Sequence, residues 1–457
     1  MTEDQVAALG PAFAGYLHGF RGCFGNKKSF SHLNTYCRGL ISDLARKSVE
    51  PIALAGGTVV RTLQQFLTHH SWDQDAMLAR LQRRVVELHL PAPGEPAGDD
   101  LGVIGLIDET SVAKKGEKTP GVQRQYCGSL GKIENCIVTV HLAVKRGSFM
   151  TMLDSDLYLP DESWDQDRDR CVAAHIPDQI AYRSKWVMAL EQVKRAVANG
   201  VRFDWLVFDE GYGSKPEFLF LLEEMGINYV AEVPANFMCW PTYPTYDSLQ
   251  RPFAAKRVDN ASAHGKPFCR QSWQTVELSR QTLSPQAWKI KAAQVHLQHE
   301  GKPTDRTYWL IVARNVETGE VKYFISNAPP KTPLEKLLKV AFSRWGIEHA
   351  FRIVKTEIGF GHFEGRSWLG LLRHMILCQT VMLFVAEQTN KLRGEKSTVD
   401  DGADRPSSER SLPPMARPPS PRPRREARRP RDPLSSSPKS GRHSLKATVP
   451  RKAGVAL

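Results

Sequence analysis

The sequence predicts a mixed α/β protein with a helical N-terminal region, a β-rich insertion and a disordered tail. In residues 1–90, apolar positions recur at steps of three and four, which is the spacing of amphipathic helices. From residue 101 onward, compact apolar runs of strand length alternate with helical patterns, as expected for a mixed sheet flanked by helices. A chain of 457 residues is long enough for about three domains.

The N-terminal segment 1–90 is predicted to be a helical domain. Its periodic stretches are "FSHLNTYCRGLISDLARKS" and "TVVRTLQQFLTHHSWDQDAMLARLQRRVVELHL", with Lys and Arg interspersed. A small basic helical domain suits DNA binding, but a solvated helical face has the same pattern, so both interpretations stay open. The Pro- and Gly-rich segment 91–100, "PAPGEPAGDD", is predicted to be a linker.

Residues 101–233 are predicted to form the first part of an α/β core. The runs "LGVIGLIDET", "NCIVTVHLAV" and "FMTMLDSDLYL" predict strands, and the helical pattern that follows ends at Gly200, a favourable helix stop. The runs "RFDWLVFDEGYG" and "INYVAEVP" predict two more strands, with the helix "KPEFLFLLEEMG" between them. Strands that give way to alternating helix and strand favour one mixed sheet.

Three further segments complete the chain. Residues 234–330 are predicted to be a β-rich insertion, because "QSWQTVELSR", "KIKAAQVHLQ", "RTYWLIVARN" and "VKYFISNAP" have strand character between polar turns. Residues 331–392 are predicted to be the second part of the core, with one helix that begins near Thr332 and Pro333 and contains Glu348, and another over about 369–391. The Pro-, Arg- and Ser-rich segment 393–457 is predicted to be a basic disordered tail. Non-specific contact with nucleic acid, plain solvation and a shifted reading frame all remain open for it.

Composition narrows the class of protein. The net charge of +13 favours a polyanionic partner, although most of the excess lies in the C-terminal tail. The eight cysteines are scattered without a Cys-x2-Cys pair, so the sequence predicts reduced thiols rather than a zinc site or a disulfide framework. The segment "LLRHMILCQTVMLFVAEQ" is interrupted by polar residues and is predicted to be a buried helix rather than a membrane span. We therefore expect a cytoplasmic protein that does not use a membrane.

Three acidic residues are candidates for one metal site. Asp108 ends the apolar run "GLID", Asp209 ends "LVFD", and Glu348 lies on a late helix. A single acid after a strand commonly caps a helix or forms a turn. Two such acids and a helical glutamate together favour a site for Mg²⁺ or a similar hard cation, which prefers carboxylate oxygens. A pair of such ions can activate the attacking oxygen and stabilise the leaving oxygen in phosphoryl transfer.

The stretch "RWGIEHAFRIVK" places two cations beside the third acid. On a helix, Arg344, Glu348 and Lys355 lie within about 40° of one another around the axis. This spacing predicts either a solvated ion-pair stripe or a metal-binding carboxylate whose flanking cations offset phosphate charge.

The combination of motifs resembles bacterial insertion-sequence transposases of the DDE type. The resemblance is to the branch whose glutamate lies in a Tyr-x2-Arg-x3-Glu-x6-Lys signature, which Arg344, Glu348 and Lys355 match, while Ala341 stands at the tyrosine position. Three further stretches resemble the surroundings of the first Asp, the second Asp and the glutamate helix of that branch. They are, in the same order, "IDETSVAKKGEKTPGVQRQYCG", "FDEGYG" and "IGFGHFEGRSW". The resemblance covers roughly residues 10–390.

The resemblance implies an RNase H-like core interrupted by the β-rich insertion. It implies that Asp108, Asp209 and Glu348 are catalytic and bind two ions of Mg²⁺ or Mn²⁺. The implied activity is cleavage of double-stranded DNA at the terminal repeats of a mobile element, followed by joining of the 3′-hydroxyl to target DNA. Joining two ends implies a dimer or larger assembly during the reaction. A DNA-binding protein that has lost catalysis is the alternative, and a sugar hydrolase has less support because no acid pair accompanies an aromatic-rich cleft.

Several residues are candidate DNA contacts near the acids. Trp345 lies beside the glutamate and has a ring that can stack on an unpaired base, although core packing is the favoured explanation for a tryptophan there. For four of the candidates, Tyr212, Lys114, Lys115 and Arg124, surface placement alone is the open alternative. The full set of predicted DNA contacts is Arg344, Lys355, Tyr212, Trp345, Lys114, Lys115 and Arg124.

Overall fold

The chain begins with helices, as its periodicity predicts, in the computed structural model of the protein, which describes residues 3–91, 101–249, 251–278 and 286–400. These helices are α1 (Glu3–His18), α2 (Lys27–Ile41), α3 (Val49–Ala55), α4 (Val60–Thr68) and α5 (Gln74–His89). The side chain of Asn26 caps α2 by accepting a hydrogen bond from the backbone N–H of Ser29, and Asp73 caps α5 in the same way from Ala76. Capping carboxyl and amide groups satisfy N–H groups that have no partner inside the helix. Residues 92–100 of the predicted linker 91–100 lie outside the described residues.

The core that follows contains strands and helices in the predicted alternation. Its elements are β1 (Ile104–Ala113), β2 (Gln123–Cys127), β3 (Lys132–Arg146), β4 (Phe149–Leu157), α6 (Arg168–Ala173), α7 (Lys185–Ala198), β5 (Trp205–Phe208), α8 (Glu210–Gly213), α9 (Pro216–Glu224) and β6 (Tyr229–Val233). The strand β2 was not predicted, because "QRQYC" is polar and pairs only with one end of β3. The helix α7 ends at Ala198, and Gly200 beyond it has a φ of +94°, which confirms the predicted stop.

The strand order positions the candidate acids. β4 pairs antiparallel with β3, and β3 pairs antiparallel with β1. On its other side β1 pairs parallel with β5, which pairs parallel with β6. The order β4-β3-β1-β5-β6, with two antiparallel pairings followed by two parallel ones, is that of an RNase H-like sheet. The predicted fold class is confirmed.

The insertion extends this sheet. Its elements are β7 (Met238–Trp240), β8 (Lys256–Arg257), α10 (Val258–His264), α11 (Lys266–Cys269), β9 (Gln274–Leu278), β10 (Gln286–His299), β11 (Lys302–Pro303), β12 (Tyr308–Asn315) and β13 (Val321–Ser326). β13 pairs antiparallel with β6, so the hydrogen bonding of the core continues into the insertion. β12 and β13 form a hairpin around "NVETGEV".

The C-terminal part contains α12 (Leu334–Phe342), α13 (Trp345–Arg352) and α14 (Trp368–Asp400). The prediction of one helix from Thr332 through Glu348 was wrong, because the helix breaks after Phe342 and Glu348 lies on α13. At the break, the backbone N–H of Gly346 bonds to the carbonyl of Ser343, a three-residue turn that redirects the chain. The predicted start of the tail at residue 393 was also wrong, since α14 continues to Asp400. Residues 401–457 lie outside the described part of the chain.

The helix α14 packs against both the N-terminal helices and the sheet. Trp368–Arg393 is long and apolar enough to cross a membrane, but 78% of its most apolar window is buried inside the protein, as in a core helix. The N-terminal helices pack on it and share one hydrophobic cluster with the sheet. The hydroxyl of Tyr16 on α1 donates to the carbonyl of Thr380 at 2.6 Å, and Arg84 on α5 pairs with Glu387 at 2.7 Å.

A buried histidine of α14 is expected to make folding stability sensitive to acid. The Nδ1 atom of His374 lies 3.0 Å from the Tyr36 hydroxyl, and its Nε2 atom lies 3.2 Å from the Phe360 carbonyl oxygen. Burial lowers the pKa of His374 to about 4. As the pH falls, the unfolded chain therefore takes up a proton on His374 before the folded protein does. The contribution of the neutral, buried His374 to folding stability is lost as the pH falls below about 6.5.

The expected result is a difference between the wild type and His374→Gln. Between pH 7 and pH 5, the free energy of unfolding of the wild type should fall by roughly 2 kcal/mol more than that of the variant. Asp108, whose pKa is raised, contributes with the opposite sign but equally in both proteins, so the comparison isolates the histidine. Denaturant unfolding at the two pH values measures this. Equal pH dependence in both proteins would contradict it.

Candidate active site

Asp108 lies where β1 separates from its parallel neighbour. The pairing of β1 with β5 ends at Leu106 and Val207, while the pairing with β3 continues to Ala113. The expectation that Asp108 ends its strand was therefore wrong: the strand continues on one side only. The gap on the other side leaves room for the carboxylate, which is nevertheless largely buried.

Asp209 follows the last residue of β5 and begins the short helix α8. Its carboxylate accepts a hydrogen bond from the backbone N–H of Gly211 at 3.0 Å, so this acid is also a helix cap. Extending the β1–β5 register by two residues places Asp209 level with Asp108. The turn needs glycine at Gly213, where a Cβ atom would lie 2.0 Å from the carbonyl oxygen of Glu232.

Glu348 comes from the far end of the chain. It lies in the first turn of α13, and 63% of its side chain is exposed. Together with Asp108 and Asp209 it lines one cavity of about 560 Å³. The structure therefore brings the three predicted acids, which are separated by as many as 240 residues, to one place.

Arg344 connects two of these acids. Its Nη1 atom donates to Oδ2 of Asp108 at 2.8 Å, and its Nη2 atom lies 3.8 Å from Oε1 of Glu348. Only 14% of the Arg344 side chain is exposed. This excludes a solvated stripe as the explanation for its spacing from Glu348, since a guanidinium is buried in this way only with partners.

Lys355 reaches the same site from the turn that follows α13. Its ammonium donates to the Thr110 hydroxyl at 2.9 Å, and burial lowers its pKa. Thr110 stands two residues after Asp108 and so lies on the same side of β1. Lys355 belongs to a π-helical turn, Ile353–Glu357, which is a local irregularity often found at functional sites.

The charges of the cavity suit a hard cation. Burial raises the pKa of Asp108 to about 7, with Arg344 opposing this and Asp209 adding to it. Burial likewise raises the pKa of Asp209. Carboxylates that repel one another in a partly desolvated cavity are stabilised by a positive charge, and here Arg344 supplies it. Within the described residues no group of three or more His, Cys, Asp or Glu side chains has the arrangement of a metal site. The carboxylate oxygens of Asp108, Asp209 and Glu348 are of the type that binds a divalent cation, and the Arg344 guanidinium lies among them.

Comparison with known proteins agrees with this geometry. The sequence model of the DDE superfamily endonuclease family matches residues 19–294, which is more than half of the chain. The chain belongs to the DDE superfamily endonucleases. The match includes Asp108 and Asp209 and ends before Glu348. The candidacy of Glu348 as the third acid therefore depends on its position in the cavity. The endonuclease is also 27% identical over 375 residues to a protein of Microchaete diplosiphon, "Probable transposase for insertion sequence element IS701", covering 80% of this chain and 84% of that protein. The family suggested by the sequence motifs is confirmed.

Two predicted DNA contacts of the endonuclease do not face the cavity. Tyr212 is 2% exposed, and its hydroxyl donates to the Glu109 carboxylate at 3.2 Å, so its prediction as a DNA contact was wrong. The ring of Trp345 packs edge-on against Phe342 at 4.6 Å and against the hydrophobic cluster. Packing, the alternative weighed for Trp345, describes its position.

The remaining predicted contacts lie farther along the surface. Lys114 donates to the carbonyls of Gly361 and Phe363, and burial lowers its pKa to about 8. Lys115 and Arg124 are exposed and line two adjoining cavities that are separate from the one around the acids.

The sequence analysis did not predict four residues that lie at the site of the endonuclease. Glu109 and Lys185 form an ion pair at the rim, Thr110 bonds to Lys355, and Arg352 lines the cavity. Two of them had a usable signal. Thr110 is two residues from Asp108 in a strand, and Arg352 is four residues from Glu348 in a helix, and both spacings place side chains on one side. Lys185 had none, because α7 meets β1 only in the folded chain.

Proposed function

We propose that this protein is an insertion-sequence transposase that cuts DNA at the ends of a mobile element and joins the freed 3′-hydroxyl to target DNA. The observation that carries the proposal is the single cavity lined by Asp108, Asp209 and Glu348, in a chain of the DDE superfamily. The similarity to a probable insertion-sequence transposase supports the choice of substrate.

The three carboxylates would hold the divalent cations that DDE superfamily enzymes generally use. Two ions of Mg²⁺ or Mn²⁺, when bound, would supply charge stabilisation for the attacking and leaving oxygens of a phosphodiester. Asp108 and Asp209 are fixed by the sheet and by α8, so they provide rigid donors, while Glu348 closes the set from α13. The exposure of Glu348 leaves that side of the cavity accessible to DNA.

Arg344 and Lys355 would neutralise the phosphate and keep it in place. Both cations are already held at the cavity wall, by Asp108 and by Thr110, so little side-chain freedom is lost when DNA arrives. Their partly buried position strengthens their interaction with a phosphate relative to a fully solvated lysine or arginine. Because an element has two ends, we also propose that at least two protomers act together, in the cytoplasm and on the nucleoid.

The test is cleavage of a duplex that carries the terminal repeat of the element, read from the DNA beside its gene. Wild-type protein with Mg²⁺ or Mn²⁺ is expected to release a 3′-hydroxyl at the repeat boundary and to join it to a second duplex. Addition of EDTA should abolish both reactions. Specific binding without cleavage under any divalent cation would favour the alternative, a transposase-derived DNA-binding protein.

A further inference from the structure

A second cavity lies beyond the catalytic one, where β1 ends. Its volume is about 750 Å³, and five of its lining residues are cationic against two carboxylates. The charged lining residues are Arg46, Lys114, Lys115, Lys118, Arg366, Glu117 and Glu364. They come from three distant parts of the chain: the segment after α2, the connection between β1 and β2, and the segment before α14.

The two cavities lie along the same side of β1. Side chains at alternate positions of a strand share a side, and every second residue after Asp108 meets the segment that follows α13. Thr110 meets Lys355, and a Cβ atom at Gly361 would lie 3.4 Å from Val112. Lys114 then donates to the carbonyls of Gly361 and Phe363. Six residues at 3.3 Å each separate Asp108 from Lys114 by about 20 Å.

The cations of this second cavity differ in their roles. Arg46 is paired with Glu364, and the ammonium of Lys114 is committed to backbone carbonyls. Lys115, Lys118 and Arg366 are exposed and make no ion pair or hydrogen bond with any described residue. Lys118 and Arg366 also line the adjoining cavity of about 670 Å³, which includes Arg124. Lys115, Lys118 and Arg366 therefore face solvent with no partner among the described residues, in two cavities that share lining residues.

The lining favours a phosphate backbone over bases or a small aromatic ligand. Its aromatic residue is Phe363, which is 3% exposed and packs inward, so it presents no ring face for stacking. Lysine and arginine side chains that no hydrogen bonds hold in a fixed orientation bind the charge of a phosphate without distinguishing the base sequence.

We infer that this cavity binds a backbone phosphate of the same DNA duplex that enters the catalytic cavity, about six base pairs from the bond that is cut. The spacing follows from the separation of about 20 Å and the rise of 3.4 Å per base pair in B-DNA. The inference rests on the proposed function, which puts DNA in the catalytic cavity, and the duplex then runs along β1, past both cavities. It adds a second anchoring point that fixes the register of the duplex on the enzyme.

The experiment uses neutral methylphosphonate linkages placed singly at each position from one to twelve base pairs from the cleaved bond, on either strand. Binding of each duplex to full-length protein is measured without divalent cation, so that no cutting occurs. For wild type, a neutral linkage near position six should weaken binding about tenfold, the size of one charge-assisted hydrogen bond. The variant Lys115→Gln/Lys118→Gln/Arg366→Gln should bind weakly and lose this position-specific effect.

The matched control is Lys194→Gln/Lys215→Gln/Arg202→Gln, which removes the same charge from exposed residues that line neither cavity. It should keep the wild-type profile along the DNA. The inference is overturned if binding by the Lys115→Gln/Lys118→Gln/Arg366→Gln variant is as sensitive as wild type to a neutral linkage near position six. It is also overturned if both triple variants weaken DNA binding equally. Cleavage is measured separately on unmodified DNA. A wild type that never cuts, yet shows the profile relative to the repeat boundary, would remove the proposed function and leave the second anchoring point intact.

Discussion

Asp108→Asn is expected to bind a duplex that carries the terminal repeat with wild-type affinity and to cut it at least about 10³-fold more slowly. The substitution removes the charge that would hold a divalent cation but keeps the shape of the side chain. A factor of 10³ corresponds to about 4 kcal/mol of transition-state stabilisation, within the range for the loss of metal-assisted catalysis. Asp209→Asn and Glu348→Gln are expected to behave alike, because all three acids line one cavity.

Folding of Asp108→Asn is not expected to suffer. Burial raises the pKa of Asp108, which means that the folded protein accommodates a charge there with difficulty, so a neutral amide removes part of that cost. Thermal unfolding of the variant serves as this check. The matched control for activity is Glu210→Gln, which neutralises an exposed acid next to Asp209 that does not line the cavity. Loss of cutting in the control as well, or full activity in Asp108→Asn, would exclude these carboxylates as the catalytic set.

Arg344→Gln is expected to bind Mn²⁺ about tenfold more tightly than wild type in the absence of DNA, while cutting DNA about 10²-fold more slowly. The guanidinium now donates to Asp108 at 2.8 Å and so competes with a cation for the carboxylate oxygens. During the reaction the same group would stabilise phosphate charge, and loss of such a donor commonly costs this factor or more. Calorimetric titration measures the first effect, and single-turnover cleavage measures the second.

Two further variants separate charge from geometry at this position. Arg344→Lys keeps the charge but cannot bridge Asp108 and Glu348 with a planar fork, so it is expected to restore little activity. Arg352→Gln removes a cation that lines the same cavity but contacts His349 rather than an acid, and Mn²⁺ affinity should change little. Weaker Mn²⁺ binding by Arg344→Gln would mean that the guanidinium supports the cation site instead of competing for it.

The predictions that were confirmed from sequence rest on local patterns. Helical periodicity predicted the helical region 1–90, in which α1–α5 lie, and the helix α14, and compact apolar runs located the central strands. The three acids became candidates for the same kind of reason, because two of them follow apolar runs of strand length and one stands between cations at helical spacing. These signals are local because backbone hydrogen bonding and solvent exposure impose a fixed period on each type of element.

The predictions that were wrong needed contacts between distant residues. The continuation of β1 past Asp108 depends on its pairing with β3, and the break before Glu348 depends on a turn at Ser343. Tyr212 was predicted to be a DNA contact, yet α8 packs it inward against Phe218 and Glu109. A tyrosine with a partner for its hydroxyl can be buried wherever the fold leaves space.

The sequence by itself determined which functional groups this chain can bring to a site, since residue type and spacing fix the available carboxylates, cations and strand-forming segments. Only the tertiary structure decided that Arg344 lies between the acids, that Lys355 is held by Thr110, and that Lys115, Lys118 and Arg366 face one depression. The physical reason is that charge and periodicity are properties of neighbouring residues. The burial, register and proximity of groups that lie hundreds of residues apart are set when the sheet and α14 form one core.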